Sequence, residues 1–179
     1  MLHVFGFHSI GVAVGDLYFV DPDPGPGQEG PEHGVRLEVR FLERVPESGS
    51  IYAARPILVD RPVWRADLLE SVAGPTGSHD RTHHHPRMRG WEPGTRQFDP
   101  AMSADPIGFV GDRLGDLGAL LKGAGLDPSE VDDRDAAEVA VAVPQILATV
   151  RALLDGVRLG ELAQPPAGEP LDSAREGWL

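Results

Sequence analysis

Four of the seven histidines, His79, His83, His84 and His85, fall within seven residues of one another. Asp80, Arg81, Arg87, Arg89, Arg96 and Asp99 surround them. Loops ordinarily recruit Ser, Asn, Asp and Gly, so imidazoles at this density call for a chemical reason. Neutral imidazole binds zinc, iron, copper, nickel or manganese, and carboxylates complete the coordination sphere. If Thr82 to His85 is extended, His83 and His85 point to one side and His84 to the other. Two imidazoles two residues apart can then chelate one ion, and Pro86 ends and stiffens the extended piece. His79, Asp80 or Asp99 would give the third ligand and leave a position open for water or substrate. The expected cofactor is a divalent metal ion (zinc, iron or manganese) on His79, His83 and His85, with Asp80 and Asp99 as catalytic carboxylates. A helix would instead align His79 with His83, but Pro86 and the Gly-rich flanks oppose it. The helical His-Glu-x-x-His pattern of zinc proteases is absent.

Two other readings compete. Without metal, paired His and Arg side chains could move protons and hold an anion; Arg81, Arg87 and Arg96 are the expected substrate-binding residues. The bland reading is that a His pairs with Asp80 or Asp99 to pin a loop, or that the cluster meets a protein partner. His8 is a further candidate ligand, from the sheet.

Charge favours a small anion over a polymer. The net charge is −12, which argues against general nucleic-acid binding and against a polybasic membrane surface. Residues 1–60 carry net −5 and residues 101–179 net −8, whereas residues 61–100 carry net +1. The histidine segment is thus the one part of an acidic chain that escapes the acidic bias. There are no cysteines, which removes thiolate metal sites, disulfides and cysteine nucleophiles from consideration. The N-terminus lacks the cationic start of a targeting segment, and no run approaches 18 unbroken apolar residues. The expectation is a cytoplasmic protein binding neither nucleic acid nor membrane.

Elements must position these side chains. The 22 Gly and 17 Pro speak against a helical bundle. Val12–Val14 and Leu17–Val20 flank Gly15-Asp16, the signature of a two-residue hairpin. Asp21 to Gly34 is a Pro- and Gly-rich loop, expected to cover the site, with His33 close enough to approach the histidine cluster. Val35, Leu37, Val39 and Phe41 alternate with Arg36, Glu38 and Arg40, a strand with one wet face. Ser50 to Val59 reads as a second strand, at an edge or bulged because Pro56 lies in it. Val63 to Val72 fits either a strand or a short helix. Residues 73–104 show no sustained periodicity.

Beyond them, Asp105-Pro106 caps a helix striped by Ile107, Val110, Leu114, Leu117 and Leu121, stopped by Gly123 and Gly125. Gly108, Gly111, Gly115 and Gly118 on it could admit a second backbone, as in a homodimer. Asp132 to Asp135 suits another helix start, striped by Val139, Val143, Ile146, Val150 and Leu154 and kinked or split by Pro144. Leu159 to Leu179 reads as a tail.

The fold expected is α+β: one domain over residues 1–158, with a small antiparallel N-terminal sheet, a His/Arg-rich loop region and C-terminal helices, followed by the tail at 159–179. A β-barrel with a helical appendage is the alternative. The function expected is a small metal-dependent enzyme of hydrolase or lyase type acting on a small anionic substrate. Iron-dependent oxidation by two His and a carboxylate is a variant. A non-enzymatic binding module with a structural His cluster is the rival.

Overall fold

A computed structural model describes residues 1–168 and 172–179. Alternating apolar and polar residues build three long strands, β2 (Ile10–Val20), β3 (Glu32–Arg44) and β4 (Ile57–Ser71). They form an antiparallel sheet with β1 (Leu2–Gly6) at one edge and β5 (His83–His85) at the other. Two-residue strands β6 (Met88–Arg89) and β7 (Glu92–Pro93) make a separate hairpin. The sheet is open and does not close into a barrel, and the α+β expectation holds.

Gly15-Asp16 is not a turn. β2 pairs continuously with β3, from Ile10 opposite Phe41 to Phe19 opposite Glu32. Unbroken pairing outcompetes a local turn, and both residues find other uses. A Cβ at Gly15 would lie 3.1 Å from the Met1 carbonyl. Asp16 accepts a hydrogen bond from the Ala163 amide at 2.9 Å. The expected strand at 50–59 begins only at Ile57, which leaves Pro56 outside the ladder. Val63 to Val72 resolves as strand, because Leu68, Ala66 and Trp64 fall opposite Val35, Leu37 and Val39.

That register places Val12, Val14, Val35, Leu37, Val39, Trp64, Ala66 and Leu68 on one buried face. Helices cover it: α1 (Pro100–Ala104), α2 (Pro106–Gly115), α3 (Leu117–Ala124) and α4 (Asp133–Arg158). Val110, Leu114, Leu117 and Leu121 join Val139, Ile146, Val150 and Leu154 in the core. The single helix expected after Asp105 is two, because Asp116 caps α3 by accepting from the Ala119 amide. Asp132 and Asp135 form a capping box for α4. α4 runs through Pro144 without being split. By length and composition α4 could cross a membrane, but its apolar stripe packs into this core. Gly111 serves the same layer, its missing side chain making room for Leu147 of α4.

The expected tail returns to the sheet. Ala174–Gly177 forms β8, which pairs with Leu17–Val20 of β2 just beyond the stretch covered by β1. Residues 169–171 of that segment lie outside the described residues.

Candidate metal centre

The second face of the sheet is also buried, and it is charged. Residues two apart on a strand share a face, so Glu32, Arg36 and Glu38 of β3 lie beside Asp67 and Arg65 of β4. The register sets Arg36 opposite Asp67 and Glu38 opposite Arg65. Arg36 holds Asp67 with two bonds, Nε to Oδ1 at 2.5 Å and Nη2 to Oδ2 at 3.1 Å. Glu38 accepts from Arg65 Nε at 2.7 Å and from Arg40 Nη1 at 2.6 Å. The expectation of a wet face on β3 is therefore corrected, because complementary charges on the neighbouring strand replace water.

β5 is extended, as the metal reading required. His83 lies opposite Asp67 and His85 opposite Arg65, so both imidazoles project onto the charged face. His84 projects to the helical side, where its ring meets Phe109 and Trp64. His83 Nδ1 lies 2.8 Å from the Arg81 carbonyl, and His85 Nδ1 lies 2.8 Å from that of Gly94. A carbonyl only accepts, so each Nδ1 carries the proton and donates it. In the neutral rings each Nε2 is then left with a lone pair. Those lone pairs converge on Asp67: Nε2 of His83 is 3.3 Å and Nε2 of His85 is 3.5 Å from Oδ2. Among the described residues, Asp67, His83 and His85 form a buried group whose ligand atoms all lie within 4.8 Å of one another and could hold a metal ion.

Burial works against charge on Asp67, but the Arg36 guanidinium bonded to both its oxygens holds its carboxyl well below the ordinary aspartate value. It is thus a carboxylate, as a metal ligand must be. Burial has the opposite outcome at Glu32, whose carboxyl is pushed up despite nearby Arg96, His83 and Arg81. The group opens into a cavity of about 260 Å³ also lined by Phe19, Glu32, Arg65, Leu69, Trp91, Arg96 and Arg175.

The other expected ligands and catalytic groups lie elsewhere. His79 sits in a left-handed turn at φ 51° and lines a cleft with His33 and Glu70. Leu154 and Val157 of α4 line the same cleft, which puts His79 toward the helices and not on the charged face. Asp80 accepts from the Ser71 amide and the Ser78 hydroxyl. Asp99 caps α1 through the Ala101 amide. Both carboxylates are thus used by the local backbone. Asp67, and not either of them, is the acid grouped with His83 and His85.

The arginines divide similarly. Arg96 lines the cavity and bonds Gln28 and Asp21. Arg81 reaches the carbonyls of Gly27 and Glu29. Arg87 bonds the Gly123 carbonyl, away from the cavity. The loop expected over Asp21 to Gly34 ends at Pro31, because Glu32–Gly34 belong to β3; Arg81 and Arg96 bond it at Gly27, Glu29, Gln28 and Asp21, and His33 does not approach the cluster. It belongs to β3 and faces the helical side, 3.7 Å from Glu70. His8 is likewise remote, 2.8 Å from Glu138.

Asp67, Glu32 and Arg65 were not singled out from sequence. Their signal is a charge pattern: Arg36-x-Glu38 on one strand and Arg65-x-Asp67 on its antiparallel neighbour are complementary when paired head to tail. The chain matches no protein-family model, no curated protein and no solved structure.

Proposed function

We propose that Asp67, His83 and His85 bind a divalent metal ion and that the protein is a small metal-dependent enzyme, of hydrolase or lyase type, acting on a small anion. The observation that carries this reading is the spacing of the donors. Ligands 2.0–2.2 Å from a tetrahedral ion stand about 3.3–3.6 Å apart. The Asp67–His83 and Asp67–His85 separations of 3.3 and 3.5 Å match that edge. They are longer than a charge-assisted hydrogen bond, which runs about 2.7–2.9 Å. Carbonyl partners on both Nδ1 atoms and Arg36 behind Asp67 supply the outer shell that orients metal ligands.

A divalent ion held there would act as a Lewis acid and lower the pKa of a bound water. The chain's own contribution is to position and to bind. Three protein ligands leave coordination positions facing the cavity, and Arg65, Arg96 and Arg175 on its wall offer guanidinium groups to an anionic substrate. A second reading follows from the donor set itself, since two imidazoles and one carboxylate also suit non-heme iron(II) chemistry with oxygen.

Elemental analysis of untagged protein, with zinc, manganese and iron(II) titrations, tests the proposal. One ion per chain is expected. His83→Ala and His85→Ala should each weaken binding by roughly a hundredfold or more, given that even outer-shell losses cost about 10–100-fold. His79→Ala should leave binding unchanged. Full-length protein that takes up no metal, or binds it equally well without His83 and His85, would return the cluster to a structural role.

A further inference from the structure

Among the described residues three acids are buried on the charged face, and two of them are satisfied. Asp67 has Arg36, and Glu38 has Arg65 and Arg40. Glu32 is only 2 % exposed, yet its Oε2 has no hydrogen-bond partner among the described residues. Its Oε1 lies 3.8 Å from Arg81 Nε, too far for a hydrogen bond, and that Nε is itself buried without a partner. A buried carboxyl oxygen left unpaired is destabilising and stands out among native groups. Glu32 lines the same cavity as His83, His85 and Asp67, which sets its carboxyl beside whatever that cavity binds.

We infer that Glu32 is a specificity-determining residue: it binds a hydroxyl group of the ligand, and the cavity therefore selects small hydroxylated anions over the same anions lacking the hydroxyl. Oε2 needs a donor. The wall sets Arg36, Arg65, Arg96 and Arg175 against Asp67 and Glu92, so an ammonium group would meet more positive than negative groups there, and the metal ion beside them. A hydroxyl brings the donor without the positive charge. The inference rests on the reading of this cavity as a metal and anion site and adds what the anion carries.

The test compares glycolate with acetate, which differ by one hydroxyl, by isothermal titration calorimetry on zinc-loaded and on metal-free protein. A hydrogen bond to a buried charged group supports a preference for glycolate of about tenfold or more. Chelation of zinc by the hydroxyl could add to the preference in the loaded protein, so the variants decide. Glu32→Leu should remove the part of the preference due to Glu32 in both states, while Glu32→Gln, which still accepts a hydrogen bond, should keep part of it. Glu32→Leu deletes an unpaired buried carboxyl and should fold; Glu32→Ala is the second variant, with the same expectation. Equal affinity for the two anions in the wild type, an undiminished preference in Glu32→Leu, or binding of neither anion overturns the inference. Zinc content, measured on the same samples, reports separately on the metal reading, because the metal-free comparison stands without it.

Discussion

The two faces of one sheet are both buried, and they are buried by different physics. On the helical face, Val14, Leu37, Ala66 and Leu68 pack against Leu114, Ile146 and Val150, and stability comes from apolar area removed from water. On the opposite face, Arg36, Glu38, Arg65 and Asp67 are nearly as inaccessible, and each must be matched atom by atom. The apolar face tolerates imprecise partners of about the right size. The charged face does not, and there the histidines and the unpaired Glu32 sit. The difference teaches where to look for function: a buried charged layer is a poor way to gain stability, so its presence asks for a chemical use.

Variants can break or sharpen this contrast. The largest effect is expected at Asp67. Asp67→Ala strands the buried Arg36 guanidinium and should cost about 3–5 kcal/mol in urea unfolding, together with metal binding. The double change Asp67→Leu with Arg36→Met should recover most of that stability but no metal. If the single change costs nothing, the charged face is not closed in solution. Leu37→Ala, on the other strand face, should cost about 2–4 kcal/mol by opening a cavity. It should leave metal stoichiometry of the folded fraction intact; loss of metal without loss of stability would show that the faces are not separable.

A smaller effect concerns His84, the one member of the His83–His85 triplet that faces the helices. Its burial, with Arg113 adding to it, pushes its pKa from 6.5 down to about 4. The unfolded chain thus binds a proton that the folded chain refuses. The stability this provides is fully present above pH 6.5 and is lost as the pH falls towards 4, on the order of 2–3 kcal/mol. Asp67 has its carboxyl held low, so its contribution is lost only below the ordinary aspartate range. Thermal unfolding from pH 7 to pH 4 should therefore show a decline that His84→Leu flattens, and an unchanged slope in that variant would show that other groups cause it. The smallest effect is expected at Arg87, whose exposed side chain bonds the Gly123 carbonyl at the surface. Arg87→Ala should stay within about 0.5 kcal/mol of wild type and bind metal and glycolate equally well, whereas Arg96→Ala should weaken the anion.

Much of this was legible in the chain itself. Alternation at Val35, Leu37 and Val39, the Asp105-Pro106 and Asp132–Asp135 caps, and the apolar stripes of the helices specified strands and helices because those patterns are local. So did the i, i+2 spacing before Pro86, which put His83 and His85 on one side and His84 on the other. Gly15-Asp16 misled because a turn signal is also local, and ladder pairing on both sides of it has the larger hydrogen-bond total. Which carboxylate meets the imidazoles was not local at all. Asp80 is near in sequence and Asp99 is as far from His83 as Asp67 is, yet both are taken by backbone amides, while Asp67 arrives through strand register. Register is settled by how whole strands bury their apolar sides together. Sequence alone therefore determined that two histidines would share a face, and only the folded sheet decided which acid faces them and which acid, Glu32, is left without a partner.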